Sequence, residues 1–201
     1  MIINHNRKFI FVAIPKTASL SIHYTLGYKE RFGEPDYYHA SIDQILFNNS
    51  ICKDYFKFAF VRNPWERIYS LYCDFIYRRH YQYSEKVIFE KKLFYEFANF
   101  NDFCIRFKDT IWSDNVFLRP QVSFIDIDGV NRIDFIGRFE NIHNHFNDIR
   151  DILGLPNDVE LIKINNGKYR ESYKDCFNQD AKNAVANFYK DDIERFEYTY
   201  V

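Results

Sequence analysis

This chain has few of the residues that punctuate or cross-link a fold. Its 201 residues include six glycines, five prolines, four cysteines and one methionine. The cysteines (Cys52, Cys73, Cys104 and Cys176) form no CxxC pair, so no zinc-knuckle or thiol-redox motif is present. No His, Cys or Asp cluster stands at ligand spacing, and no metal is expected. No apolar run approaches the ~18 residues needed to cross a bilayer. The apolar stretch Phe9–Ile14 is too short for a signal-peptide core. A cytoplasmic protein with reduced thiols is expected, with contact at a membrane surface left open. Charge of one sign is also missing: 27 Lys and Arg stand against 28 Asp and Glu, for a net charge of -1. That balance argues against a nucleic-acid partner, which usually requires a basic excess. What is abundant is aromatic residues, 20% of the chain, with 22 Phe and 16 Tyr. A sugar-binding groove would account for them, and so would a biased composition. Hydrophobic residues make up 47%, a folded profile. With no internal repeat and no linker, residues 1–201 read as a single domain.

Strand and helix patterns alternate along the chain. Phe9–Ile14 is a continuous apolar run, as expected of a strand buried on both faces. The loop Pro15–Ala18 leads into a helix over Ser19–Lys29. A short helix over Ser41–Phe47 takes Ser41 as its N-cap. Phe56–Val61 is a second buried strand. Asn63 as N-cap, Pro64 at the first helical position and Glu66 two residues on mark a strong helix start, and that helix runs to about Arg78. Further helices are predicted over Leu93–Phe107, Phe139–Leu153 and Gln179–Phe196. Short strands are predicted at Phe124–Ile127, Asp134–Gly137 and Glu160–Ile164. The fold class is therefore α/β, a P-loop-like three-layer domain with a mainly parallel central sheet flanked by helices.

In such sheets ligands bind beyond the carboxyl ends of the strands, and two strands here end in cationic sequence. The first continues as Ile14-Pro15-Lys16-Thr17-Ala18-Ser19-Leu20-Ser21. A loop entering a helix offers free amides to an anion, and Lys16 adds a mobile charge beside the hydroxyls of Thr17, Ser19 and Ser21. The Gly-x4-Gly-Lys-Ser/Thr pattern of a Walker loop is absent. The second strand ends at Arg62, which can fork onto a phosphate. Arg67 and Ser70 follow on what reads as the polar side of the next helix, able to hold a second phosphate.

The segments "IPKTASLS" and "FVRNPWERIYSLY", in that order, resemble the two phosphosulfate-binding motifs of the sulfotransferases that use 3′-phosphoadenosine 5′-phosphosulfate (PAPS). The likeness is strongest to the carbohydrate sulfotransferases with an RNPxxRxxSxY motif. "RPQ" at Arg119–Gln121, "DFIGRFEN" at Asp134–Asn141 and "FYKDDIERFEY" at Phe188–Tyr198 also resemble family segments. Ala18 and Ser19 stand where Gly and Thr are commoner. The family's Golgi members carry an N-terminal anchor that is not seen here, which fits a cytosolic, bacterial-type enzyme. The resemblance implies that PAPS is the donor and adenosine 3′,5′-bisphosphate (PAP) the product. Lys16 then contacts the bridging oxygen, the amides of Thr17, Ala18, Ser19, Leu20 and Ser21 hold the 5′-phosphate, and Arg62 and Ser70 hold the 3′-phosphate. Lys168 and Arg170, in the loop Asn165–Tyr173, become further phosphate contacts.

A base for the acceptor hydroxyl should titrate near neutrality. Relatives carry a histidine in the interval between the two motifs, which here is His39; Glu34 is the alternative. Arg78 and Arg79, in a locally basic segment with Tyr77, Tyr81 and Tyr83, and Arg119 with Gln121 are candidate contacts for a carbohydrate or glycoconjugate acceptor. Two other readings stand beside sulfuryl transfer: an atypical nucleotide kinase using the same cradle, and a non-catalytic nucleotide-binding protein.

Overall fold

A computed structural model describes residues 1–28, 38–77, 96–110, 114–164 and 172–200. The strands are β1 (Ile2–Asn4), β2 (Phe9–Val12), β3 (Phe56–Val61), β4 (Asp126–Ile127), β5 (Val130–Asn131) and β6 (Phe135–Arg138). The helices are α1 (Ser19–Thr25), α2 (Ile42–Asn48), α3 (Pro64–Tyr77), α4 (Phe100–Arg106), α5 (Val122–Ile125), α6 (Ile142–Ile152), α7 (Gln179–Phe188) and α8 (Lys190–Phe196). The chain groups into two compact units: Met1–Arg62 with Gln121–Asn166, and Asn63–Pro120 with Gly167–Val201.

The first unit is built on a sheet of order β1-β2-β3-β6. β2, β3 and β6 run parallel, and β1 is antiparallel at one edge. Every residue of β2 is buried, as a parallel strand covered on both faces requires. Alternation places Phe9, Phe11, Phe58 and Phe60 in one cluster with Ile22 of α1 and Phe146 and Ile149 of α6. Phe11 and Phe58 stack with ring centroids 5.0 Å apart. Gly137 pairs with Phe60 across the sheet, and a Cβ there would lie 2.5 Å from the Phe60 ring. Glycine is thus what lets that ring lie against the β6 backbone.

Several sequence expectations change in this unit. β1 went unpredicted; Ile2 is buried with Phe9 and Phe11 and supplies the register. Phe124 and Ile125 form a helical turn rather than a strand, so both are buried instead of alternating. Only Asp126–Ile127 pairs, with Val130–Asn131, across a turn in which Asp128 and Gly129 both have positive φ. Glu160–Ile164 is not a strand. Two of its amides bond hydroxyls of α1 rather than a neighbouring strand: Ile162 N donates to Thr25 Oγ1 at 2.8 Å, and Ile164 N to Ser21 Oγ at 3.4 Å.

The second unit is helical. Its core gathers Trp65, Ile68 and Leu71 of α3, Phe100, Phe103 and Phe107, and Phe177, Val185 and Tyr189. Edge-to-face pairs recur, with Phe100–Phe177 and Phe107–Phe188 at 4.7 Å. These aromatic residues build core. The single closing helix expected over Gln179–Phe196 is two helices that break at Tyr189 (φ -102, ψ 30). The Tyr189 ring is fully buried there, and its hydroxyl donates to the Leu118 carbonyl at 2.8 Å.

Candidate active site

β2 and β3 are parallel neighbours, so their carboxyl ends open on the same edge of the sheet. From β2 the chain runs through Ile14 and Pro15 into Lys16, whose φ is +67, and Ala18, whose φ is +65. Both are left-handed conformations, which cost a residue with a Cβ about 1–2 kcal/mol each. Ala18 is also the N-cap of α1, and no side chain caps that helix. Alanine is among the poorest N-caps because it offers no acceptor to the first helical amides.

The hydroxyl protons of Thr17 and Ser19 are engaged within the loop. Thr17 Oγ1 donates to the carbonyl of Ile14 at 2.9 Å, and Ser19 Oγ donates to the same carbonyl at 2.6 Å. Thr17 is fully buried and Ser19 nearly so. A hydroxyl has one proton to give. With that proton on Ile14, each hydroxyl braces the turn, and the backbone amides remain as the donors suited to an anion. Ser21 Oγ accepts from Ile164 N, which ties a later segment to α1. Leu20 contributes its half-buried place in the first turn of the helix.

Arg62 leaves the end of β3 and points back to this loop. Its Nη1 donates to the Lys16 carbonyl at 3.1 Å. Its guanidinium lies 3.9 Å from the centroid of the Phe139 ring, a cation–π contact. Its backbone is clamped by Gln121, whose Oε1 accepts from Arg62 N at 2.8 Å while its Nε2 donates to Arg62 O at 2.9 Å. Gln121 is fully buried in that role. Phe139 and the clamping function of Gln121 were not legible in the sequence, because neither pattern nor spacing records contacts made across the chain.

His39 is 8% exposed. Its Nδ1 lies 2.5 Å from the carbonyl of Ala13, three residues before Lys16. A carbonyl only accepts, so Nδ1 carries the proton and Nε2 is the basic nitrogen of the neutral ring. That is the tautomer a general base requires. His23 is buried in α1.

In the second unit, Asn63 Oδ1 accepts from Trp65 N at 3.1 Å, the cap expected of α3. Asn63 Nδ2 donates to Thr199 O at 2.9 Å. Ser70 is half-buried on α3. Arg67 corrects the sequence reading. It is 1% exposed rather than on a solvated face, and its Nη2 donates to the carbonyls of Phe117 and Arg119 at 3.0 and 2.8 Å. These bonds hold the Phe117–Arg119 backbone. Arg119 itself has an exposed side chain. Lys168, Arg170, Arg78, Arg79 and Glu34 lie outside the described residues. Among the described residues, no group of three His, Cys, Asp or Glu side chains is placed to hold a metal ion, and no helix is long and apolar enough to cross a membrane.

Comparison with known proteins bears on what an amide loop, a lysine and a braced arginine at one sheet edge are for. No curated protein and no solved structure matches the chain closely enough to inform it. A family model described as the sulfotransferase family matches residues 1–199. The match takes in both cationic strand ends, His39 and nearly all of the rest of the sequence, and the chain belongs to the sulfotransferase family.

Proposed function

We propose that this sulfotransferase moves the sulfuryl group of PAPS to a hydroxyl of a carbohydrate or glycoconjugate acceptor and releases PAP. The observation that carries the reading is the loop Pro15–Ser21. The Thr17 and Ser19 hydroxyls are turned inward, no side chain caps its helix, and Arg62 secures it from the neighbouring strand. Such a loop presents backbone amides and Lys16 where a 5′-phosphosulfate would sit.

In the reaction the acceptor oxygen forms a bond to sulfur as the bond from sulfur to the 5′-phosphate oxygen breaks. Negative charge grows on that leaving oxygen. Lys16 and the amides from Thr17 to Ser21 stabilise it, a pre-placed electrostatic effect of the kind that is usually the largest single term in catalysis. The acceptor's proton passes to His39 Nε2, the ring position left basic by the Nδ1–Ala13 bond. Arg62 and Ser70 take the 3′-phosphate, the assignment that the RNPxxRxxSxY resemblance supports. Lys168 and Arg170 are proposed as further phosphate contacts, and Arg78, Arg79 and Arg119 as acceptor contacts. A cytoplasmic location goes with this reading.

Nucleotide selectivity tests it. At a hundredfold excess over its dissociation constant a ligand adds about 2.7 kcal/mol of stability, which for a chain of this size is roughly 5–11 °C in Tm. PAP is expected to produce a shift of that order at concentrations where ADP and ATP, lacking a 3′-phosphate, produce little. Equal shifts from PAP and ADP would refute the donor assignment and favour a kinase-like nucleotide site.

A further inference from the structure

His39 is held from two sides, and one side has a role that the mechanism above does not use. On the first side is the Ala13 carbonyl, at the end of β2. On the second is Tyr38, whose ring meets the His39 imidazole edge-on, with centroids 4.7 Å apart and an interplanar angle of 87°. Tyr38 does not stand alone. Its ring stacks on His23 at 4.6 Å and 29°, and its hydroxyl lies 2.9 Å from His23 Nδ1. His23 belongs to α1. Its Nδ1 lies 2.7 Å from the Ser19 carbonyl, and its ring packs edge-on against Phe11 of β2 at 5.5 Å. The three rings therefore pack in series from α1 to His39, stacked between His23 and Tyr38 and edge-on between Tyr38 and His39. Ser19 anchors one end in the amide loop, and Ala13 anchors the other just before Lys16.

We propose that Tyr38 is a positioning residue for sulfuryl transfer. Through its ring on His39 and its hydroxyl on His23, it fixes the His39 imidazole relative to the Lys16 loop. This rests on the assignment of His39 as base. An imidazole can swing about the hydrogen bond at its Nδ1; an aromatic ring packed edge-on against it restricts that swing and aims Nε2. Misplacing a catalytic group by about 1 Å can cost on the order of 100-fold in rate, so aim matters as much as presence. The stack also explains why a buried histidine sits in α1: it is the rigid base on which Tyr38 rests.

The test is steady-state kinetics on Tyr38→Phe, Tyr38→Leu and His39→Ala, each paired with PAP titration to count correctly folded sites. Tyr38→Leu removes ring and hydroxyl. It is expected to lower kcat per PAP-binding site by on the order of 10–100-fold, with PAP affinity and the KM for PAPS unchanged. Tyr38→Phe keeps the ring contacts and removes the hydroxyl that faces His23 Nδ1, so its kcat is expected to fall between Leu and wild type. A purely structural role would lower Tm and the count of binding sites while leaving kcat per site intact. That result, or a loss of PAP affinity in step with kcat, overturns the proposal. If Tyr38→Leu does not fold, Tyr38→Phe decides: reduced kcat with intact PAP binding supports the proposal, and wild-type kcat overturns it. His39→Ala separates this inference from the one beneath it. If His39→Ala retains transfer, the base assignment fails first. If it abolishes transfer while the Tyr38 variants behave as wild type, only the positioning role fails.

Discussion

Removing the Thr17 and Ser19 hydroxyls separates two jobs that look identical in sequence. Thr17→Val keeps the shape of the side chain, and Ser19→Ala removes one oxygen. Both hydroxyls donate to one buried carbonyl, that of Ile14. Either single change leaves that carbonyl one donor, so each is expected to cost about 1 kcal/mol, the net worth of an ordinary hydrogen bond. The double change strips both donors and leaves a buried acceptor unsatisfied, which adds about 1–3 kcal/mol. The double variant should therefore lose about 3–5 kcal/mol, more than the sum of the singles, a coupling expected of groups that share a partner. For a chain of this length that is roughly 6–20 °C in Tm. Chemical denaturation of the unliganded protein, run as a double-mutant cycle, measures it. Phosphate-binding hydroxyls would behave in the opposite way: unliganded stability would hold and PAP affinity would fall with each hydroxyl removed. Additive, near-zero losses of unliganded stability would refute the bracing argument.

Other expectations follow from the same geometry. Lys16→Ala should lower kcat by on the order of 100–1,000-fold, as loss of a pre-placed charge donor does, with a much smaller effect on PAP affinity by calorimetry. Ala18→Gly relieves a left-handed alanine; strain relief of about 1–2 kcal/mol, offset by about 0.4–1 kcal/mol of added unfolded-state entropy, leaves a net gain detectable by denaturation. Arg67→Met removes the donors to the Phe117 and Arg119 carbonyls inside a core and should cost about 2–4 kcal/mol, read as a lower Tm. At alkaline pH, burial first, and then the charges of Tyr173, Cys176 and Asp175, push the Tyr200 phenol up to about 12. Its folded form holds the proton more tightly than the unfolded chain does. The resulting stability is thus fully present below the ordinary tyrosine value of about 10 and declines as pH rises towards 12. Tyr200→Phe should flatten that decline in a pH series of melting curves.

What the sequence made legible follows physical locality. β3 and the cap of α3 are written in contiguous residues, an apolar run and an Asn-Pro start, and both formed as read. The Ser41 cap of α2 likewise appears, as a reciprocal box with Gln44. The amide loop was legible because strand, loop and helix are consecutive. Partners distant in the chain were not. Arg67 has the spacing of a surface residue, yet two carbonyls about fifty positions away draw it into a core. Glu160–Ile164 has the composition of a strand, yet its Ile162 and Ile164 amides bond hydroxyls on α1. Thr17 and Ser19 have the right chemistry for an anion, and only the position of the Ile14 carbonyl shows that their protons are already engaged. The Tyr38 stack was invisible for the same reason: three rings come from two separate segments.

The most direct test of the central claim is transfer of labelled sulfate from PAPS to a panel of glycans, run with wild type, Lys16→Ala and His39→Ala in parallel. The account predicts label on a carbohydrate hydroxyl with wild type, release of PAP in equal amount, and loss of transfer in both variants although His39→Ala still binds PAP. Undiminished transfer by either variant, or PAP binding with no transfer to any hydroxyl acceptor, would contradict it.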